Sequence, residues 1–126
     1  METTDVGKLL VRIGALLIII AGIVQIGEYA IYIVGDFFSY GYTGPWMIFW
    51  LSTGVVAVVF GFLVMFFYLR MIDTNHVTAS ILIIVFGILG AVFAGEWAII
   101  GGPGAVLCLV GAILFFVEMG DTNGGA

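Results

Sequence analysis

Charge is scarce in this sequence. Only 9% of its 126 residues are charged, and Lys and Arg together number three; an average soluble domain carries roughly 25% charged residues. Without a basic cluster the chain offers no footprint for the phosphate backbone of a nucleic acid and no polybasic lipid-binding segment. Cysteine and histidine occur once each, as Cys108 and His76. No intrachain disulfide can therefore form, and no paired His/Cys set exists to hold a metal or haem. The chain also has no phosphate-binding Gly-Lys loop and no Ser/His/Asp nucleophile set. These gaps point away from an enzyme and imply no cofactor, no catalytic residue and no metal. Proline occurs twice, each time behind a glycine, at Gly44-Pro45 and Gly102-Pro103; both dipeptides read as breaks.

Apolar residues fill the space left. They make up 63% of the chain, and mean hydropathy is +1.32. A small domain leaves much of its surface exposed, so no water-soluble fold of this length hides so much apolar area. A soluble globular enzyme, a disordered protein and a nucleic-acid binder are thereby excluded. The composition is that of an all-α integral membrane protein whose main partner is the lipid bilayer, with the cell membrane as the expected location.

A helix crossing ~30 Å of hydrocarbon needs about 20 apolar residues. Four stretches qualify as candidates, at about residues 9–34, 46–69, 77–100 and 104–117. Lys8 and Arg12 ahead of the first run fit a signal peptide, but the run continues to Val34 with no A-x-A site behind it, which favours a retained helix. Thr74 or Asn75 can cap the third helix. Lys8, Arg12 and Arg70 fall on one side of a four-span chain, which makes that side, and both termini, cytoplasmic. Trp46, Trp50 and Trp97, with Tyr29, Tyr32, Tyr40 and Tyr42, gather toward the other side as an interfacial belt. The expected architecture is an antiparallel up-down four-helix transmembrane bundle forming a single domain. The last turn has two candidate positions. Gly101-Gly102-Pro103-Gly104 is the stronger local signal and is favoured, although it leaves a short fourth span. A turn at Gly95-Glu96-Trp97 gives spans closer to bilayer thickness and puts Pro103 inside the fourth helix.

The halves share an order of short motifs. Gly27-Glu28-Tyr29-Ala30-Ile31 is matched by Gly95-Glu96-Trp97-Ala98-Ile99, Gly44-Pro45 by Gly102-Pro103, and Met71-Ile72-Asp73-Thr74-Asn75 by Met119-Gly120-Asp121-Thr122-Asn123. Tandem duplication of a two-helix hairpin, as repeats 9–75 and 77–123, accounts for this order; shared membrane-helix vocabulary is the alternative.

Small residues recur along each span. Gly87, Ala91 and Gly95 lie four apart, as do Gly104, Cys108 and Ala112; Gly54, Ala57 and Gly61 mark the second helix, and Gly14, Ala15 and Gly22 the first. Such stripes let helix backbones approach where lipid supplies no hydrophobic drive. Glu28 and Glu96 are the only carboxylates embedded in the spans, with Gln25 on the face of Glu28 and Tyr32 one turn beyond it. They read either as interfacial or helix-tying groups, or as a proton or cation site. In size, span count and a first-helix glutamate the chain resembles the small multidrug-resistance transporters. That family's glutamate sits deeper in its helix than Glu28, and no stretch of motif is shared. The expected function is non-enzymatic association, as a homo-oligomer or as an accessory subunit of a membrane complex. The alternative is a small proton- or cation-coupled transporter or channel using Glu28 and Glu96.

Overall fold

The computed structural model describes residues 3–41, 45–72 and 74–125, and among them it is all-helical. Tyr42, Asp73 and the side chains of Tyr40, Trp46, His76 and Glu96, as well as those from Glu118 onward, lie outside the described residues. Helix α1 runs over Thr3–Tyr40 for 38 residues. Helix α2 is α-helical over Pro45–Phe62, π-helical over Leu63–Tyr68 and α-helical again over Leu69–Met71. Helix α3 spans His76–Phe93, a single 3-10 turn follows at Gly95–Trp97, and helix α4 spans Ala98–Gly125. Among the described residues, three segments are long and apolar enough to cross a membrane: Asp5–Ser39, Met47–Met71 and Ile99–Val117. Val77–Phe93 in α3 is apolar but shorter.

Local chemistry explains the breaks. Gly41 adopts a left-handed φ of 78°, and its N–H donates to Phe37 O at 2.8 Å, closing α1 with an αL cap. Asn75 caps α3 by accepting from Thr78 N at 3.3 Å. Gly95, with φ of 62°, turns the chain between α3 and α4. The turn expected at Gly101–Gly104 is therefore not made there; those residues are helical within α4. The third helix accordingly ends at Phe93 rather than near residue 100, and the fourth starts at Ala98. Packing overrides the low helix propensity of these glycines. Gly101 lies against Ala91, Ala94 and Ala21, and Gly104 against Gly14, Leu17 and Ile18. Pro103 lies inside α4, in its second turn, where it removes the backbone hydrogen bond its N–H would otherwise make to residue 99.

α1 is the centre of the assembly. It packs most extensively on α4 and α2, while α3 closes the ring between those two and meets α1 least. Contact positions climb α1 as they descend its neighbours. Gly7 meets Gly111 and Phe115, Gly14 meets Gly104 and Cys108, and Gly101 meets Ala21. On the other flank Gly22 meets Gly54 and Val58, and Gly61 meets Ala15 and Ile19. Small residues thus recur every seven positions on both flanks of α1, a spacing that keeps one seam in contact along a left-handed crossing. The approach is close: a Cβ at Gly104 would lie 2.6 Å from Gly14 O, and one at Gly111 would lie 2.7 Å from Gly7 O. Val11, Ile18, Val64, Ile72, Ile83 and Phe115 fill the interior between the helices.

Of the small residues singled out in the sequence, Gly54, Gly61 and Gly104 lie at these helix contacts, and Gly87 faces Cys108. Ala91, Cys108 and Ala112 are buried. Gly95 departs from the stripe it shares by spacing with Gly87 and Ala91, because it forms the turn. Gly7 and Gly111, not singled out by spacing four, form the end of the α1–α4 seam.

Candidate functional site

Gln25 is a polar side chain with no exposure to solvent, in the middle of α1. Its Nε2 donates to Trp50 O at 2.7 Å and Thr53 Oγ1 at 2.6 Å on α2, and reaches Phe93 O at the end of α3 at 3.4 Å. Two carbonyl oxygens fix the orientation of the amide, since only the NH2 can donate to them. Thr53 Oγ1 in turn donates to Trp50 O at 2.8 Å. The Gln25 Oε1 atom is buried with no hydrogen-bond partner among the described residues. It fills the place a Gly95 side chain would take, 2.8 Å from where that Cβ would lie. One amide therefore joins α1, α2 and α3, and fits because the α3–α4 turn carries no side chain at Gly95.

One turn along α1, half-buried Glu28 accepts a hydrogen bond from Trp97 Nε1 at 2.5 Å. This ties α1 to the 3-10 turn and is charge-assisted when the carboxylate is ionised. Tyr29 is buried and stacks on Trp50 at 6.4 Å with rings 19° apart. Tyr32 meets Tyr29 edge-on at 5.7 Å and is about half exposed. Gln25, Glu28, Tyr29, Trp50, Thr53 and Trp97 thus form one layer at the end of the molecule where α3 turns into α4. Of the candidate residues, the structure brings Gln25 and Glu28 into this layer and leaves Tyr32 at its rim. The Glu96 side chain is outside the described residues; its backbone lies in the same 3-10 turn as Trp97. The two copies of the G-E-aromatic-A-I motif occupy different local structure. Gly27–Ile31 is continuous helix within α1, whereas Gly95–Ile99 includes the turn and the start of α4. The sequence pattern does not point to Trp50, Thr53 or the Phe93 carbonyl as partners; two of the three contacts use backbone oxygens, which no side-chain pattern announces.

The opposite end holds the chain's cations. Lys8 and Arg12 on α1 and Arg70 on α2 line a single open cleft of about 380 Å³, together with Met65, Phe66 and Leu69. Among the described residues no group of three His, Cys, Asp or Glu side chains could hold a metal ion. Compared with known proteins, the chain matches no family model, no curated protein and no solved structure.

Proposed function

We propose that this is a multi-pass membrane protein, an antiparallel up-down bundle that works by association and carries no enzymatic step. Its partner is a second copy or another membrane protein. The observation that carries this reading is the far end of α1. Trp50 stacks on Tyr29, and Trp97 reaches Glu28, so α3 and α4 end near that level. α1 continues to Tyr40, another ~16 Å at 1.5 Å per residue. Along this extension Ile31, Val34, Phe37 and Phe38 are 72, 53, 58 and 82% exposed. An apolar projection of this kind is an association surface. The polar layer supports the same reading, because its described hydrogen bonds are spent on joining helices.

The orientation follows from the same ends. The cleft end carries Lys8, Arg12 and Arg70 and faces the cytoplasm by the positive-inside rule, with both termini on that side. Trp50, Trp97 and Tyr29 form the opposite interfacial belt. Purification in lipid-retaining particles, followed by native mass measurement, tests the reading. The expected result is a mass above that of one chain, reduced to one chain in a Phe37→Ser/Phe38→Ser variant. A strict monomer without a co-purifying protein contradicts it.

A second reading, a proton or cation site at Glu28 and Glu96, draws on the Trp97–Glu28 bond. That bond brings the turn holding Glu96 to the level of Glu28. Vesicle flux in Glu28→Gln and Glu96→Gln tests it: lost flux supports the site, and equal flux in wild type and both variants removes it.

A further inference from the structure

We propose that the cytoplasmic end of α1 and α2 forms a binding site for an anionic phospholipid, the phosphate in the Lys8–Arg12–Arg70 cleft and one hydrocarbon chain in the groove beside it. The inference rests on the membrane reading above and adds a ligand to it.

Three observations converge. All three Lys and Arg residues of the chain line one cleft, although 58 positions separate Arg12 from Arg70 and the two sit on different helices. A chain with net charge −5 has nonetheless concentrated its positive charge at one place. Next, the cleft runs into apolar surface. Phe66 lines it and also a second cleft of about 400 Å³ with Phe67, Arg70, Met71 and Thr74. Phe66 and Phe67 then line a groove of about 210 Å³ with Val59, Phe62 and Leu63, whose lining exposes no polar surface. A path from cations to hydrocarbon surface, joined through one phenylalanine, matches the layout of a phospholipid, whose phosphate and chains are adjacent.

The third observation is the π-helical stretch Leu63–Tyr68, which supplies residues to all three clefts. A π turn holds about one residue more than an α turn and is frequent at functional sites. One extra residue turns everything after it by about 100° relative to a regular helix. Leu69 and Arg70 follow this stretch, so the π segment sets their direction and brings Arg70 to the side of α1 where Lys8 and Arg12 stand. Guanidinium groups suit phosphate through paired N–H donors, and basic pockets between membrane helices on the cytoplasmic side take phospholipid headgroups. Asp5, one turn before Lys8, is exposed on the same helix, and its negative charge opposes an anion at Lys8, so Arg12 and Arg70 carry most of the attraction.

The test uses the full chain, purified in a non-ionic detergent and titrated with phosphatidylglycerol or phosphatidylcholine, with bound lipid counted by native mass spectrometry. Wild type is expected to retain phosphatidylglycerol well above phosphatidylcholine. Arg12→Gln and Arg70→Gln should each reduce that preference about fivefold, the effect of one cation near a lipid phosphate. Val59→Trp, which fills the groove, should weaken both lipids and leave the charge preference intact. Glycerol phosphate, which has the headgroup without the chains, should compete poorly. Equal retention of the two lipids, an unchanged preference in the Arg12→Gln/Arg70→Gln double variant, or competition by glycerol phosphate as strong as by the lipid overturns the proposal. Carbonate extraction of cell membranes reports insertion separately: a washed-off protein fails the membrane reading, whereas a retained protein without lipid preference fails only this one.

Discussion

Gln25 shows how much one polar side chain can organise in an apolar molecule. Its amide donates to α2 twice and reaches α3 once, and each interhelical hydrogen bond among membrane helices is worth about 0.6–2 kcal/mol. Gln25→Leu is therefore expected to lower stability by about 1–3 kcal/mol, read by reversible unfolding in detergent micelles. Gln25→Glu should cost more, because a carboxylate brings no donor to the Trp50 and Phe93 carbonyl oxygens. Gly95 gives a second contrast. It combines φ of 62° with a Gln25 oxygen in the place of its side chain, so Gly95→Ala should destabilise by about 1–3 kcal/mol in the same assay. Gly27, a helical glycine with nothing within 4 Å of its missing Cβ, is the control: Gly27→Ala should be neutral or stabilising by up to ~1 kcal/mol. Gln25 and Glu28 are conspicuous in the sequence because they are polar among apolar neighbours. Their partners were not legible, since backbone oxygens of Trp50 and Phe93 become acceptors only once three helices are in place.

At the level of the helices, the seam between α1 and α4 sets how close the bundle can be. Gly7, Gly14 and Ala21 on α1 oppose Gly111, Gly104 and Gly101 on α4. Gly14→Ala places its Cβ against the Gly104 carbonyl oxygen and the Cys108 sulfur, so the helices must part or shift, at a cost of about 1–3 kcal/mol. Unfolding of Gly14→Ala against Gly27→Ala separates this seam effect from general glycine replacement. The small-residue stripes were visible in the sequence, but spacing four finds one helix's own ridge, whereas two long helices in contact repeat every seven residues. Gly7 and Gly111 belong to the longer repeat and not to a spacing of four. The last turn departs from its expected place at Gly101–Gly104 for a related reason. Three glycines around Pro103 are a stronger local signal than one glycine at position 95, yet Gly101 and Gly104 are used for contact and Gly95 for its φ. The π stretch Leu63–Tyr68 leaves no mark in a run of Leu, Val, Met, Phe and Tyr, so the cleft it shapes could not be read from the scattered Lys8, Arg12 and Arg70.

The whole molecule has two unlike ends: a layer of aromatic and polar ties with the projecting end of α1, and a cleft that gathers the cations. Single cysteines introduced in a Cys108→Ala background test the orientation. With a membrane-impermeant maleimide on intact cells, Ser39→Cys should be labelled and Asn75→Cys labelled only after lysis; the reverse pattern contradicts the assignment of the cleft end to the cytoplasm. Long apolar helices, three of them apolar enough to cross a membrane, are legible at once from 63% apolar residues, because that count needs no tertiary detail. A partner for the proposed association is not legible, because Ile31–Phe38 carries bulk and no code for one. The most direct measurement is photo-crosslinking in the native membrane from benzoylphenylalanine placed at position 38, with position 27, on the same helix below the projection, as the comparison. A protein adduct of discrete mass is expected from position 38 and none from position 27. Lipid adducts alone from position 38 would contradict the claim that this end of α1 is where the protein meets its partner.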